Sequence, residues 1–142
     1  MADTMKLSID TGIETVEIEN ELGEVIGSFK FNPSDVNMAY RIETAAQAIN
    51  DREIDEEKLK DVTSAEFKEF CDFLGQQFDY VLGFDVVDGI FAKVHMLTPV
   101  RNGDFYFEQV FDGIAGYVEK ATKQRVNKRL AKIRKATAKY KK

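Results

Sequence analysis

The first part of the chain follows the alternation of a β-hairpin. Apolar residues alternate with glutamates in IETVEIEN, at positions 13–20, and they recur in EVIGSFKF, at positions 24–31. Between them, NELGE supplies turn residues, because Asn20 and Gly23 both tolerate a positive φ. The pattern predicts a hairpin with one acidic, solvent-exposed face, and KLSI at positions 6–9 is a candidate third strand. An isolated hairpin is marginal in water, so it must lie on the helices or pair with a neighbouring copy.

A helix is predicted directly after the hairpin, with Asn32 as its N-cap and Pro33 at its first position. Ser34 and Asp35 place polar and negative groups in the first turn, where the helix dipole favours them. The predicted buried stripe of this helix is Val36, Ala39, Tyr40, Ala46 and Ile49. The charged stretch that follows, NDREIDEEKLKDV at 50–62, is predicted to be a connection with partial helical character.

The clearest helix in the sequence follows this connection. Thr63 and Glu66 have the spacing of a capping box. Behind them, apolar residues recur mostly at intervals of three and four: Phe67, Phe70, Cys71, Leu74, Phe78, Val81 and Leu82. Gly83 ends the helix, and we expect the core to form around it. Cys71 lies on the apolar stripe and is therefore predicted to be a small buried hydrophobic residue.

The last third of the chain predicts a short helix, a loop and a long helix. The short helix falls in FDVVDGIFAKVHML at 84–97, and TPVRNG at 98–103 is the loop. The long helix opens with DFYFEQVFDGIAGYVEK and has a strong apolar face: Phe107, Val110, Phe111, Ile114, Tyr117, Val118 and Ala121. The pattern then continues at intervals of four and three as a heptad-like stripe: Val126, Leu130, Ile133, Thr137 and Tyr140.

These patterns together predict an α+β fold that is mainly α. An N-terminal β-hairpin of two or three short strands is followed by a bundle of about four helices, and the last helix is long and basic at its C-terminal end. With 142 residues, the chain has the size of one domain. We expect a single globular domain over residues 1–122 and a basic amphipathic helical tail over residues 123–142.

Charge divides the chain into two parts of opposite sign. Residues 120–142 hold eleven Lys or Arg and no Asp or Glu, a net charge of +11. Residues 1–119 hold nine Lys or Arg and all 25 acidic residues, a net charge of −16. Such asymmetry is typical of an interaction arm, and one available partner is the acidic body of the same or a neighbouring copy. The apolar runs are short, so we expect neither a membrane span nor a signal peptide.

The sequence offers little for catalysis or metal binding. The single histidine, His95, stands in the apolar run KVHML, which favours a packing or surface role over a catalytic one. With no second histidine and with Cys71 on the core stripe, no zinc site is expected. The chain has no glycine-rich phosphate-binding motif, and Asp85 and Asp88 share a helix face without a nucleophile or base in the pattern. We therefore expect no enzymatic activity and no cofactor.

Acidic residues at positions 51, 53 and 55 resemble the start of a calcium-binding loop. Such a loop needs glycine at its sixth position and glutamate at its twelfth, where this sequence has Glu56 and Val62. We therefore interpret the segment as a solvated connection. The functional alternative is a docking surface for a basic segment, such as the tail of a neighbouring copy.

The basic tail raises two further alternatives. Its positive side chains could neutralise phosphates of DNA: Lys123, Arg125, Lys128, Arg129, Lys132 and Arg134. The acidic body repels the same polyanion, and Gln124 and Asn127 offer little for reading bases. The apolar face of the tail lacks Trp and Phe, which argues against a membrane surface. A small nucleic-acid-binding phage or bacterial protein is therefore the alternative function.

Two stretches of the chain resemble a known protein family. LGFDVVDGIFAKV and DFYFEQVFDGIAGYVEKATKQRVNK resemble the small tail assembly chaperones of long-tailed phages and prophages of Gram-positive bacteria. The residues that match the family pattern are Gly89, Ile90, Phe91, Phe107, Val110, Phe111, Asp112, Gly113, Ile114, Tyr117, Val118, Lys120 and Ala121. FKFNPSDVNMAYRI also fits the family's strand followed by an Asn-Pro helix start. The likeness covers most of residues 13–128 and consists of packing and capping residues.

The resemblance implies a non-enzymatic phage tail assembly chaperone. Such proteins bind the long helical tape measure protein before and during tail-tube assembly in the host cytoplasm. They keep it soluble, help tube subunits gather around it and are absent from the finished tail. Many are also made in a longer frameshifted form, and several self-associate into spirals or rings. The implied partners are the tape measure protein, the tail tube protein and further copies of the chain. A structural component of the virion is the remaining alternative.

A chaperone of this kind needs apolar grooves rimmed by charge. The Phe-rich faces at 67–82 and 105–121 are candidates, although most of their phenylalanines are expected to be core. The candidate partner-binding residues are Phe107, Val110, Phe111, Ile114, Val118, Lys123, Arg125, Lys128, Arg129, Lys132 and Arg134. The opposite charges of body and tail also predict head-to-tail association, in which the tail of one copy meets the acidic surface of the next.

Overall fold

The computed structural model describes residues 3–52 and 56–140, and within these ranges it describes all side chains except those at 56, 58 and 136–140. Its elements, in chain order, are β1 (Glu14–Glu19), β2 (Val25–Phe31), α1 (Met38–Asp51), α2 (Glu56–Leu59), α3 (Ala65–Leu82), α4 (Val87–Ile90) and α5 (Tyr106–Tyr140). The fold is α+β and mainly helical, with an N-terminal hairpin and a long last helix, as the sequence predicts.

β1 and β2 form the predicted antiparallel hairpin, in which Val16 pairs with Phe29. The side-chain oxygen of Asn20 accepts two backbone hydrogen bonds within the turn, at 2.9 and 3.0 Å. Gly23 follows with a φ of 77°, a value that glycine adopts without strain. The predicted turn is therefore confirmed, with the positive φ at Gly23 alone, while Asn20 contributes through its side chain.

The candidate third strand at positions 6–9 is wrong, because residues 3–12 contain no strand. Leu7 and Ile9 are exposed instead of pairing along an edge. The segment ends in a local turn, in which the Gly12 N–H donates to the Asp10 carboxylate at 2.8 Å. Such side-chain bonds to nearby backbone compete with strand pairing, so the sheet keeps two strands.

α3 lies at the centre of the core, and its apolar stripe is confirmed. Its buried residues are Phe70, Leu74, Gly75, Phe78, Val81 and Leu82. The Phe78 ring meets Phe91 and Phe111 edge-on, with centroids 5.3 and 5.9 Å apart, an arrangement that aromatic pairs favour. Phe29 and Phe31 of β2 join the same cluster, so one core holds the hairpin and the helices together.

α1 begins at Met38, later than the predicted start at Pro33. Asn32 does not cap the helix. Its side-chain oxygen accepts from the Ser34 N–H at 2.9 Å, and its amide donates to the Thr11 carbonyl at 2.6 Å. The Asn32 side chain therefore closes a local turn and ties it to the N-terminal segment, which delays the helix.

The predicted buried stripe of α1 is wrong in its first half. Val36 precedes the helix and Tyr40 faces solvent, with exposed fractions of 88% and 68%, and Ala39 is exposed as well. Ala46 and Ile49 are half-buried. The residues that pack against the core are Met38, Ile42, Ala45 and Ile49. Because the helix starts later, its apolar face runs through Met38 rather than Val36.

At the start of α3 the predicted N-cap is wrong, whereas the predicted end of the helix is confirmed. Its N-cap is Ser64, whose hydroxyl accepts from the Phe67 N–H at 3.1 Å. Thr63, the cap that the sequence predicts, donates its hydroxyl to Asp61 at 2.7 Å instead. Gly83 ends the helix as predicted, with the positive φ of 77° that favours glycine at this position.

β2 and α4 approach each other backbone to backbone. A Cβ atom on Gly27 would lie 2.7 Å from the carbonyl oxygen of Ile90, and one on Gly89 would overlap the carbonyl oxygen of Ser28. Non-bonded carbon and oxygen atoms do not approach so closely, so both positions need glycine. This approach fixes the position of the hairpin on the helical part of the fold.

We expect Ser64→Ala to lower the free energy of unfolding by about 1 kcal/mol, because the Phe67 N–H loses its cap. Thr63→Ala is the matched control and should cost less, since the Thr63 hydroxyl bonds to the exposed Asp61 rather than to the helix backbone. Urea unfolding followed by circular dichroism measures both changes. A larger loss for Thr63→Ala than for Ser64→Ala would contradict the cap at Ser64.

Gly89→Ala should lower the free energy of unfolding by about 2 kcal/mol or more, because the added methyl group meets fixed backbone rather than a movable side chain. Gly116→Ala is the matched control. It lies within α5, and apart from the backbone of that helix and the neighbouring residues no described atom lies within 4 Å of the new Cβ, so it should raise stability by about 0.5–1 kcal/mol. Thermal unfolding should show midpoint shifts of opposite sign, and shifts of the same sign would refute the close approach.

Candidate functional site

Among the described residues, the side chains with catalytic chemistry do not converge. His95 is exposed, stacks on Phe67 with ring centroids 5.7 Å apart, and accepts from the Leu97 N–H at 3.1 Å through Nδ1. Asp85 and Asp88 are exposed as well. Within residues 3–52 and 56–140, no three His, Cys, Asp or Glu side chains form a group that could hold a metal ion. His95 therefore packs against Phe67 at the surface.

Cys71 is half-buried on α3, less than the sequence predicts. Burial raises the pKa of its thiol, and the neighbouring Asp72 carboxylate raises it further. A thiol with a raised pKa holds little thiolate at neutral pH, and the thiolate is the reactive form. Cys71 is therefore a packing residue with low nucleophilicity.

The first part of α5, residues 106–122, packs into the core. Four of its candidate partner-binding residues are buried: Phe107, Val110, Ile114 and Val118. The fifth, Phe111, is half-buried against Phe78. Burial of each such side chain contributes about 2 kcal/mol to folding, so these residues mainly stabilise the fold. Val110 and Ile114 also line the groove between the hairpin and α5 that is described below.

The outer part of α5, residues 123–140, is here called the outer helix and carries an exposed apolar stripe. Val126, Leu130 and Ile133 are 51%, 44% and 44% exposed. With about 100° of rotation per residue, they fall within about 60° of one another around the helix. We call these three residues the seam. The structure confirms that the helical pattern of the tail continues from the last helix.

The basic side chains surround the outer helix. The exposed candidate partner-binding residues on it are Lys123, Lys128, Arg129, Lys132 and Arg134. Helical geometry places Arg129 and Arg134 beside the seam and places Lys128 and Lys135 on the opposite face. Lys123 pairs with a glutamate one turn earlier at 3.0 Å, an exposed pair of little energetic value. The seam is therefore an apolar stripe bordered by positive charge.

Arg125, the remaining candidate, binds the body of its own chain. Its guanidinium donates to the Gly12 carbonyl at 2.9 Å and to a Glu14 carboxylate oxygen at 2.7 Å, and it also donates to the Ser34 hydroxyl. These bonds attach the base of the outer helix to the N-terminal segment, to β1 and to the turn before α1. We call this group of contacts the Arg125 clamp.

A groove with a volume of about 670 Å³ opens between the hairpin and α5. Its apolar lining residues are Val16, Ile18, Ile26, Phe29, Val94, Val100, Tyr106, Val110, Ile114 and Tyr117. The Tyr106 hydroxyl oxygen is buried and has no hydrogen-bond partner in the described part of the chain. Burial also raises the pKa of Tyr106. Because most of its lining residues are apolar, the groove favours an apolar occupant.

One wall of the groove is acidic. Glu17, Glu19 and Glu21 line it on the side of β1 and its turn, and all three are exposed. None of them forms a side-chain hydrogen bond or ion pair with the described residues. The alternation in β1 predicts this acidic face, but the sequence does not place it beside an apolar groove. A helix with an apolar stripe between basic residues has the complementary surface.

No protein-family model, curated protein or solved structure matches this chain. Among the described residues, no helix has both the length and the apolar content that crossing a membrane requires. Function must therefore be inferred from the groove, the outer helix and the residue pattern of the chain.

Arg125→Ala should lower the free energy of unfolding by about 2 kcal/mol, because the Gly12 carbonyl and the Glu14 carboxylate lose their donor. Arg125→Lys should restore only part of this loss, since an ammonium group lacks the planar fork of donors. Lys123→Ala removes a neighbouring exposed ion pair and should change stability by less than about 0.5 kcal/mol. Equal losses for Arg125→Ala and Lys123→Ala in urea unfolding would rule out the clamp.

Proposed function

We propose that this chain is a non-enzymatic phage tail assembly chaperone that binds the tape measure protein during tail-tube assembly in the host cytoplasm. The observation that carries the proposal is the groove, which combines an apolar floor with an acidic wall. The resemblance of most of residues 13–128 to the tail assembly chaperones supports the same function. The tail tube protein is a second proposed partner, since tube subunits gather around the tape measure protein.

The dimensions of the groove suit one helical segment of the partner. The six residues of β1 span roughly 20 Å, which equals roughly thirteen residues of an α-helix. A tape measure helix would place its apolar stripe against Val16, Ile18 and Ile114, where that stripe is shielded from aggregation. Basic residues beside the stripe would then lie near Glu17 and Glu19.

A nucleic-acid-binding function is the alternative, and a specific observation favours it. Lys128, Arg129, Lys132 and Arg134 are exposed on one helix that extends from the clamp, as phosphate contacts require. The net charge of −16 on residues 1–119 opposes this function. A structural component of the virion is the third possibility, and such a protein would remain in the finished tail.

Co-expression with the long helical protein encoded beside this chain tests the proposal. We expect the partner to be soluble only with this chain and to co-purify with it. Glu17→Lys/Glu19→Lys should reduce the recovered complex about tenfold, because it reverses the charge of the groove wall. Glu43→Lys/Asp72→Lys makes the same charge change on exposed positions of α1 and α3 and should leave recovery unchanged.

Three outcomes would contradict the proposal. If the partner is equally insoluble with and without this chain, the chain does not act as its chaperone. DNA binding that weakens steeply with salt and disappears in Lys128→Gln/Lys132→Gln would favour the nucleic-acid alternative instead. Presence of the chain in purified virions would favour the structural alternative.

A further inference from the structure

We infer that the groove between the hairpin and α5 binds a neutral hydrogen-bond acceptor carried on an apolar surface, with the Tyr106 hydroxyl as the donor. In the tape measure protein, this acceptor is the side-chain carbonyl oxygen of an Asn or Gln within the apolar stripe of one helix. The assignment to that partner rests on the proposed function and adds a specificity-determining residue to the groove. The acceptor chemistry rests on the chain alone.

The Tyr106 hydroxyl differs from the other polar groups of the chain. Tyr106 is 7% exposed, and it lines the groove. Among the described residues, its hydroxyl oxygen is the one buried side-chain nitrogen or oxygen without a hydrogen-bond partner. Buried hydroxyl groups are almost always bonded, because a polar group that loses water without gaining a partner destabilises the fold. The free chain therefore keeps an unfavourable group at the groove.

Packing does not account for this hydroxyl. The Tyr106 ring meets Phe91 edge-on with centroids 5.9 Å apart, a contact that a phenylalanine ring makes equally well. The Tyr106 backbone N–H donates to the Thr98 carbonyl at 2.8 Å, and any residue except proline supplies that donor. Both neighbours in the chain, Phe105 and Phe107, are phenylalanines. Because such breaches of a folding rule concentrate at functional sites, we assign the hydroxyl to the occupant of the groove.

The surroundings of Tyr106 select the chemistry of the occupant. Burial raises the pKa of the Tyr106 phenol, so the hydroxyl keeps its proton at neutral pH and can donate it to an acceptor. The same groove is lined by Val94, Val100 and Val110. A carboxylate would lose its hydration among such side chains, which opposes a charged acceptor. The acceptor is therefore neutral, and the surface around it is apolar.

The middle of a helical occupant can supply such an acceptor only from a side chain. Backbone carbonyls inside an α-helix already accept from the N–H four residues later. Ser and Thr hydroxyls within a helix tend to bond to the preceding turn, whereas Asn and Gln carry a neutral carbonyl oxygen. The Tyr106 hydroxyl is buried in the free chain, and the amide reaches it through the side-chain rotamer changes that are common at interfaces.

One buried polar contact within an apolar interface fixes the register of a helix. Apolar stripes repeat along a long helix, so apolar contacts alone allow the helix to shift by one repeat. Such a shift moves the amide away from Tyr106 and leaves the hydroxyl unpaired again. Tyr106 therefore determines which segment of the tape measure protein binds, whereas residues such as Val16, Ile18 and Ile114 supply the apolar contact area.

Two small probes test the acceptor chemistry on the full chain. Acetophenone has an aromatic ring and a carbonyl acceptor, and toluene has the ring without an acceptor. NMR titration with either probe should shift the amide signals of groove residues such as Ile18, Val110 and Ile114. Tyr106→Phe should weaken acetophenone binding about fivefold through the lost hydrogen bond and change toluene binding by less than about twofold. Tyr80→Phe, which removes an exposed hydroxyl on α3 outside the groove, should change neither.

Thermal unfolding provides a second measurement, in which the expected change has the opposite sign. Tyr106→Phe removes a buried hydroxyl that has no partner among the described residues, so it should raise the midpoint by about 2–5 °C. Tyr80→Phe should leave the midpoint within about 1 °C of wild type, because its hydroxyl is exposed. A residue that served only the fold would lose stability and binding together, whereas Tyr106→Phe should gain stability and lose acetophenone binding.

Co-expression with the tape measure protein tests the assigned partner. We expect Tyr106→Phe to reduce the recovered complex about threefold or more, and Tyr80→Phe to leave recovery unchanged. If the wild-type chain recovers no partner, the proposed function fails, and the probe titration still decides the chemistry of the groove.

Four results would overturn the inference. The first two are the absence of acetophenone binding in the groove and equal acetophenone binding by wild type and Tyr106→Phe. The third is a lower unfolding midpoint for Tyr106→Phe, because the hydroxyl would then have a partner in the free chain. The fourth is undiminished recovery of the tape measure protein by Tyr106→Phe, because the partner would then bind without the hydroxyl.

Discussion

Two antiparallel strands bury too little apolar surface to be stable alone, so the hairpin depends on its contact with the helices. Phe31 is fully buried at this contact, and its ring lies 5.7 Å from that of Phe29 and 5.5 Å from that of Tyr117 on α5. The glycines at 27 and 89 let the backbones of β2 and α4 approach directly. The position of the hairpin decides where β1 lies, and β1 supplies both the acidic wall of the groove and the carboxylate in the Arg125 clamp.

The hairpin, α3 and α5 can be predicted from the sequence because each buries one face, and a buried face leaves a regular pattern. The start of α1 cannot, because an Asn-Pro pair fits a helix start and a turn equally well. The Asn32 bond to the Thr11 carbonyl decides between them, and it joins residues 21 positions apart. The cap of α3 is missed by one residue for a simpler reason: Thr63 and Ser64 are adjacent hydroxyl residues, and both suit the position.

The candidate site, like the fold, has a part that the sequence predicts and a part that it does not. The seam follows from spacing within one helix, and the structure exposes it as the pattern indicates. The groove depends on how the hairpin packs against α5, which no local pattern encodes. Arg125 resembles its basic neighbours in the sequence, yet its acceptors at Gly12 and Glu14 are more than a hundred positions away. The phenylalanines of α5 differ from the seam. Their apolar pattern is strong because they pack in the core, and it does not indicate a surface for a partner.

The small size of the seam decides what kind of contact it can make. Three half-exposed apolar side chains gain about 1 kcal/mol each on burial, and the charges around them are screened at physiological salt. Association itself costs at least several kcal/mol in lost freedom, so one such contact is weak.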